Sequence, residues 1–210
     1  MAIKKTILTL SVFALLFTSC SGRSVERITT SDISTSLDGV LIDGVRWATR
    51  NVDALGTFAE NPEDFGMLFQ WNRKKAWNTI DRRVEGWNST NATGTAWYTE
   101  AYPCPKGWRL PTNDELLSLR NAGVHATLNG VNGRLFGTYP YQIFLPAAGW
   151  RDTNGTLKSQ GTSSLFWRST PYGALNLWGV WLFSHSGLRT LRALRGDNQA
   201  GAFSVRCVAK

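Results

Sequence analysis

The sequence is poor in the residues that catalytic and metal sites use most. Its 210 residues include two histidines, three cysteines and two methionines. The histidines, His125 and His185, belong to no set of cysteine, histidine and carboxylate residues with the spacing of a zinc site. A glycine-rich phosphate loop and a Gly-x-Ser-x-Gly nucleophile motif are both absent. We therefore expect a non-catalytic protein without a cofactor or a metal ion.

Tryptophan and glycine are abundant instead, with ten and twenty residues. Together with the low methionine, lysine and glutamate content and the scarcity of long apolar heptads, this composition favours a loop-rich β or α+β fold over a helical bundle. Roughly 190 residues would remain after removal of an N-terminal signal, which is enough for one domain with a real core.

The positive charge is concentrated at the C-terminal end. The formal charge is +8, and it falls to +6 (8 minus 2) if Lys4 and Lys5 leave with a signal peptide. Residues 165–210 contribute +5, from five arginines and Lys210 against Asp197. Such charge attracts acidic partners, or it serves only solubility. The residues leave these two interpretations open.

Residues 1–19 have the pattern of a signal peptide. Lys4 and Lys5 precede an apolar run from Ile7 to Phe17 that is too short for a stable membrane anchor. The small residues before Cys20 resemble a bacterial lipobox, so we expect Cys20 to be lipidated and the protein to be an exported outer-membrane lipoprotein, with the facing of its anchor left open. The alternative is ordinary secretion with a free Cys20. Residues 20–38, rich in serine and threonine, predict a flexible tether.

Turn and capping signals organise the rest of the chain. Asp43-Gly44 between two β-rich runs predicts a hairpin over residues 40–47. Residues 67–71 predict a buried strand or the start of a helix, and residues 78–100 a long loop pinned by Trp87 and Trp97. Thr112 and Glu115 form a capping box that predicts a helix over 113–121, ended by Gly123. We predict further strands at 144–151, 156–157, 165–167 and 202–208.

Residues 165–210 have no steady period between their two terminal strands, although they contain many large side chains. Tryptophan, tyrosine and arginine supply most of the binding energy at protein interfaces. A run of such residues without a period is hard to explain as core alone. It therefore indicates a binding surface.

Six blocks of sequence, in this order, resemble the bacterial major paralogous domain named from Fibrobacter. The blocks are GVRWATRNV, FGMLFQW, CPKGWRLPTNDEL, LPAAGWRDTNG, SLFWRSTPY and GAFSVRCV. The resemblance covers residues 39–210 and implies an α+β, C-type lectin-like fold with two short helices, a sheet linking both ends of the domain and a second small sheet carrying the ligand face. The formylglycine-generating enzyme is a remote relative of this family.

A narrower resemblance links segment 165–199 to variable proteins of Bacteroidetes diversity-generating retroelements. Phe203 to Val208 match their fixed final strand, with Ala202 where glycine is usual, and Trp167, Ser169, Thr170 and Pro171 match the fixed entry. The resemblance implies that the positions between them are diversified ligand contacts. These are Arg168, Tyr172, Leu175, Asn176, Trp178, Trp181, His185, Leu188, Arg189, Leu191, Arg192, Asn198 and Gln199.

The cysteines and the calcium motifs qualify this resemblance. In an exported protein Cys104 and Cys207 can pair, and the resemblance places their two blocks near each other; the alternative is two buried thiols. The enzyme relative uses cysteines near its C-terminal end, but only Cys207 lies there.

The Glu-Pro-Asn, Gln-Pro-Asp and Trp-Asn-Asp motifs of sugar-binding C-type lectins are absent, so neither calcium nor sugar is implied. Asp152, Asn154 and Asp197 are better explained as surface turn residues than as cation ligands.

We therefore expect a non-catalytic, exported lipoprotein that binds a protein or another surface ligand through segment 165–199. We expect contact with the membrane through the lipid anchor only, and no nucleic acid partner. The alternative is a structural or adhesin-type envelope protein with a fixed contact surface, and a remote one is an enzyme of the formylglycine-generating type.

Overall fold

The computed structural model describes residues 39–94, 96–119, 123–172, 177–184 and 199–210, with the backbone alone at 170–172 and 177–184. In chain order the strands are β1 (Val40–Ile42), β2 (Val45–Trp47), β3 (Leu68–Gln70), β4 (Ala76–Trp77), β5 (Trp108–Arg109), β6 (Val124–Leu128), β7 (Val131–Thr138), β8 (Tyr141–Pro146), β9 (Trp150–Arg151), β10 (Leu157–Lys158), β11 (Ser163–Tyr172), β12 (Leu177–Ser184), β13 (Ala202–Phe203) and β14 (Val208–Ala209). The helix α1 spans Asn113–Ser118, and Thr99–Ala101 form a 3-10 turn. Small antiparallel sheets and little helix are what an α+β or mostly-β fold contains.

The first and last described strands lie in one sheet, which we call the terminal sheet. Its order is β1-β2-β14-β5. The predicted hairpin over residues 40–47 is confirmed, because Asp43 and Gly44 both have positive φ, 48° and 79°, as a two-residue hairpin turn requires. Val40 pairs with Trp47, and Trp47 in turn pairs with Val208. The two ends of the domain are therefore held together by strand pairing.

The C-terminal strand is shared between two sheets, which corrects the single strand predicted over 202–208. A five-stranded sheet of order β10-β9-β13-β3-β4, which we call the central sheet, contains β13, whereas β14 belongs to the terminal sheet. The chain crosses between them at 204–207, all buried. The central sheet also settles the alternative at 67–71, because Leu68–Gln70 form a strand paired with Ala76–Trp77.

The helix starts as predicted but ends early. Thr112 Oγ1 accepts a hydrogen bond from the Glu115 N–H at 3.2 Å, and the Thr112 N–H donates to Glu115 Oε2 at 2.7 Å. The helix ends at Ser118 rather than at residue 121. Gly123 has no left-handed φ, so it is not the helix-ending glycine that we predicted. A Cβ at Gly123 would lie 2.4 Å from the Phe136 ring, so this glycine leaves room for core packing.

A three-stranded meander of β6, β7 and β8 was not predicted. The strand predicted over 144–151 is divided into β8 and β9 by a bend at 147–149, where Gly149 has a φ of 72°. The predicted strand at 165–167 lies inside a longer hairpin of β11 and β12, with an irregularity between Trp167 and Pro171.

Two buried clusters form most of the core. The first gathers Phe136, Phe166 and Leu116 with residues of β1, β2 and β14. The second is aromatic and contains the disulfide Cys104–Cys207, whose Cα atoms are 6.0 Å apart. The predicted disulfide is therefore confirmed, and it joins the loop before β5 to the crossing segment between β13 and β14.

Candidate ligand-binding surface

The first residues of segment 165–199 pair with Ser204, which follows the segment in the chain. The Trp167 N–H donates to the Ser204 carbonyl at 3.0 Å, and the Ser204 N–H donates to the Leu165 carbonyl at 2.9 Å. The hydroxyls of Ser164 and Ser204 lie 3.3 Å apart and are buried. Leu165 and Ser204 are therefore adjacent in space, although 39 positions separate them in the chain.

An aromatic cluster fixes the entry to the segment. Trp167 is 1% exposed and donates from Nε1 to the Phe69 carbonyl at 2.7 Å. Its ring lies 4.6 Å from Phe203, 5.6 Å from Trp71 and 5.9 Å from Trp97, measured between centroids. Trp97 therefore pins its loop as predicted. The strand that enters the segment cannot move without disturbing this cluster.

Arg206 fixes the return of the chain. It is 1% exposed, and its guanidinium donates to Asn51 Oδ1 at 2.8 and 3.0 Å, to the Ala48 carbonyl at 3.0 Å and to the Phe144 carbonyl at 3.0 Å. Burial, with a smaller contribution from the charge of Arg50, lowers the pKa of Arg206 to about 9. One side chain thus joins three parts of the chain that are distant in sequence.

Arg168 is a correction to the predicted contact set. Its side chain is only 4% exposed and donates to Asn113 Oδ1 at the start of the helix. Beside it, the Ser169 N–H donates to the Pro111 carbonyl at 2.8 Å. Arg168 therefore supports the entry strand and presents little surface to a ligand. Its partners are far away in sequence, so the local pattern did not reveal them.

Gln70 holds the exit of the segment and was missed by the sequence analysis. It is 1% exposed, and its Nε2 donates to the carbonyls of Ala200 and Asn88, both at 2.7 Å. Its Oε1 accepts from Trp77 Nε1 at 3.1 Å. The Ala200 N–H donates to Asn91 Oδ1 at 3.1 Å. A single glutamine in the otherwise apolar run 67–71 was the feature of the sequence that could have indicated a buried polar residue.

Arg151 holds a loop beside this exit. It is fully buried, and its guanidinium donates to the carbonyls of Asn78, Asp81 and Gly155 at 2.7 to 3.2 Å. Burial lowers the pKa of Arg151, and the charge of Asp81 partly offsets this. Trp87 closes the same region, because its Nε1 donates to the Thr153 carbonyl at 2.8 Å. The predicted role of Trp87 in pinning its loop is confirmed.

A small cleft of about 110 Å³ opens where the exit meets the turn after β9. It is lined by Trp150, Thr153, Leu165, Gly201 and Phe203, together with Arg151 and Asp152. The Asp152 carboxylate accepts from the N–H groups of Asn154 and Thr156 and lies 3.4 Å from Lys158 Nζ. Asp152 therefore stabilises its own turn, and the cleft is smaller than a typical small-molecule pocket, which has a volume of about 300 Å³ or more.

The other predicted contacts have these places in the chain. Tyr172, Trp178 and Trp181 belong to the β11–β12 hairpin, where Trp181 pairs with Phe166 and Trp178 with Pro171. Gln199 is half-buried at the turn before β13. The remaining predicted contacts lie outside the described residues; they are Leu175, Asn176, His185, Leu188, Arg189, Leu191, Arg192 and Asn198. Cys20 lies outside them as well.

Within the described ranges, no group of three or more histidine, cysteine or carboxylate side chains could hold a metal ion. No helix of this described part has the length and apolar content needed to cross a bilayer. No protein family, curated protein or solved structure matches the chain.

Proposed function

We propose that the chain is a non-catalytic, exported ligand-binding lipoprotein with a C-type lectin-like fold. Its ligand is a protein or another surface molecule that docks on segment 165–199. The lipid on Cys20 and the tether of residues 20–38 hold the domain at the outer membrane. The proposal joins three features: a framework, a segment carried by that framework and an anchor.

The arrangement of the framework supports the C-type lectin-like part of the proposal. That fold has a sheet linking the two ends of its domain, and here β2 pairs with β14. A second small sheet carries its ligand face, and here the β11–β12 hairpin forms a separate two-stranded sheet. The resemblance implies two short helices, whereas the described residues contain the single α-helix Asn113–Ser118 and a 3-10 turn.

The observation that carries the proposal is the backbone pairing of Trp167 with Ser204, which we call the base of segment 165–199. The Trp167 and Ser204 backbones are hydrogen-bonded, and both residues are buried. The proposed contact positions lie between Trp167 and Ser204 in the chain. Substitutions at these positions therefore do not alter Trp167 or Ser204 themselves. A fixed base with variable residues beyond it separates stability from specificity, as antibody loops on a rigid scaffold do.

The proposed contacts are the predicted ones without Arg168. Tyr172, Trp178 and Trp181 provide aromatic anchors, and Arg189 and Arg192 provide planar donors for acceptors on the ligand. We propose that this segment is diversified between copies of the gene by a diversity-generating retroelement.

A matched pair of variants tests the division between framework and contacts. We expect the combined change Tyr172→Ser, Trp178→Ser and Trp181→Ser to alter the melting temperature by no more than a few degrees. We expect Trp167→Ala to cost about 3–5 kcal/mol, or roughly 10 °C, because Trp167 fills the aromatic cluster. Thermal unfolding followed by circular dichroism measures both. Equal losses in the two variants would show that the segment is core and would refute the proposal.

Sequencing of the DNA beside the gene tests the diversification. A reverse transcriptase gene and an imperfect repeat of the 165–210 coding segment, with mismatches confined to template adenines, are expected. If neither is there, the retroelement part is wrong and a binding domain of fixed sequence remains.

A further inference from the structure

The loop of residues 78–82 holds an isoleucine in the solvent. Ile80 is 86% exposed, more than Leu41, at 58%, or Tyr139, at 68%. A large aliphatic side chain exposed to this extent gains nothing from the hydrophobic effect in the free protein. Its position therefore has to be explained by the loop that holds it or by a partner that covers it.

The loop is fixed from its inner side. Arg151 donates to the Asn78 and Asp81 carbonyls at 2.8 and 2.9 Å, and Gln160 Nε2 donates to the Thr79 carbonyl at 2.5 Å. The Leu157 N–H donates to the Arg82 carbonyl at 2.8 Å. Since both flanks of Ile80 are tied to the scaffold, Ile80 is held at a fixed tip.

The loop also orders itself. Asn78 Oδ1 accepts hydrogen bonds from the N–H groups of Ile80 and Asp81, both at 3.1 Å. Asn78 Nδ2 donates to Asp81 Oδ2 at 2.8 Å. The Asp81 carboxylate is thereby engaged within the loop.

Exposed basic residues lie on both sides of this tip in the sequence. Segment 73–85 contains five arginines and lysines against Asp81 and Glu85. Lys74, Lys75, Arg82 and Arg83 are exposed, and neither ion pair found among the described residues involves them.

Lys75 connects the β3–β4 turn to the loop that follows Arg83. Lys75 Nζ lies 4.0 Å from the centre of the Trp77 ring, and it would be 3.6 Å from a Cβ built on Gly86. The β3–β4 turn therefore approaches the loop that follows Arg83. We call Lys74, Lys75, Ile80, Arg82 and Arg83 the basic tip.

We propose that the basic tip docks on an anionic phospholipid surface, with Ile80 entering the boundary between headgroups and acyl chains. This adds a second membrane contact to the lipid anchor, which the sequence alone led us to expect as the only one. Lysine and arginine near a membrane gain attraction from anionic lipids, and an exposed aliphatic residue adds apolar burial. A lipid surface accepts a projecting side chain without a matching pocket, whereas a protein partner would have to provide one. The inference rests on the proposed function in one respect, because the lipid on Cys20 brings the domain to the membrane.

Vesicle flotation with an unlipidated chain separates the basic tip from the anchor. The protein is residues 21–210, exported behind a cleavable secretion signal, so that no lipid is attached. We expect it to float with phosphatidylethanolamine–phosphatidylglycerol vesicles and not with phosphatidylcholine vesicles. Binding should disappear at about 1 M salt, where the screening length falls to about 3 Å.

Variants of the basic tip give the expected magnitudes. Arg82→Gln with Arg83→Gln should lower vesicle partitioning about 30-fold, which corresponds to roughly 1 kcal/mol for each charge. Ile80→Ser should lower it about tenfold, through the loss of apolar burial. Lys106→Gln with Lys210→Gln is the matched charge control and Leu41→Ser the matched apolar control. Both controls should bind as the unmodified chain does.

Three outcomes would overturn the proposal: no binding to anionic vesicles, equal binding to phosphatidylcholine, or equal losses in the controls. Binding to soluble polyaspartate without binding to vesicles would assign the basic tip to an acidic macromolecule, and the lipid proposal would again be wrong. Palmitate labelling of the full chain, with Cys20→Ser as control, reports the anchor separately. Absent labelling would refute the anchor and leave the vesicle result standing.

Discussion

Arg206 and Arg151 are both enclosed in the protein, yet they connect different kinds of structure. Arg206 bonds to Ala48 and Asn51 in one segment and to Phe144 in β8, so it connects separate parts of the framework. Arg151 bonds mainly to one surface loop, through the carbonyls of Asn78 and Asp81. In both cases the acceptors of these hydrogen bonds are neutral oxygens.

The comparison shows how one residue type serves two purposes. Burial of a guanidinium without a bonded carboxylate costs desolvation, which is why burial lowers the pKa of both arginines. In exchange, the planar guanidinium fork donates to several backbone carbonyls at once. At Arg206 this fork holds the framework together, whereas at Arg151 it positions a loop whose outer side faces solvent.

Removal of Arg206 should have the largest effect. Arg206→Met leaves the oxygens of Ala48, Asn51 and Phe144 buried without their donor. We expect a loss of about 3 kcal/mol and a fall in melting temperature of roughly 10 °C, because each buried unsatisfied acceptor costs about 1 kcal/mol or more. Urea denaturation measures the loss. Arg206→Lys, which retains the charge without the fork, should give an intermediate value, and a loss under about 1 kcal/mol in Arg206→Met would contradict the role of the fork.

Removal of Arg151 should act locally. In Arg151→Met the Asn78 and Asp81 carbonyls can turn to water if the loop opens, so we expect a smaller global loss of about 2 kcal/mol. Trypsin should then cut after Arg82 and Arg83 at least about tenfold faster than in the unmodified chain, because local opening exposes a bound backbone to cleavage. Mass spectrometry of the first fragments measures this. Unchanged cleavage at these sites would show that Arg151 does not hold the loop.

The features that could be predicted from the sequence have their determinants within a few residues of each other. The Asp43-Gly44 turn specifies the first hairpin, and the Thr112–Glu115 box specifies where the helix begins. The cysteine pair is an exception, because Cys104 and Cys207 are 103 positions apart. We predicted it from the expected export and from the resemblance, which places the two blocks near each other. The meander over 124–146 was missed although Asn129-Gly130 is a turn dipeptide, with φ values of 47° and 84°.

The buried polar residues could not be predicted, because their partners are remote in sequence. Arg168 and Asn113 are separated by 55 positions, and Gln70 and Ala200 by 130. From the sequence alone, an arginine in an aromatic-rich segment resembles a ligand contact. The sequence does not show whether its side chain faces a ligand or the start of a helix. The local sequence pattern therefore predicted where segment 165–199 begins and ends. It did not predict which buried side chains hold these two ends.

A third arginine, Arg109, sharpens the comparison because it does bind a carboxylate. Its Nη1 and Nη2 donate to Glu115 at 2.8 and 2.5 Å, and both side chains are partly exposed. The hydrogen bonds from Arg109 are the largest cause of a lowered pKa at Glu115, which burial partly opposes.

This pair should give the smallest effect, and one that depends on pH. The folded-state pKa of Glu115 lies below its ordinary value of 4.5, so its contribution is fully present above pH 4.5 and is lost as the pH falls through the folded pKa. Glu115→Gln should cost about 1 kcal/mol at neutral pH, a typical value for a helix cap with an exposed ion pair. Urea denaturation of both proteins should show this difference narrowing below pH 4.5. Asp114→Asn changes the same charge in the same turn without contacting Arg109, and a pH dependence shared by both variants would assign the effect to the helix dipole instead.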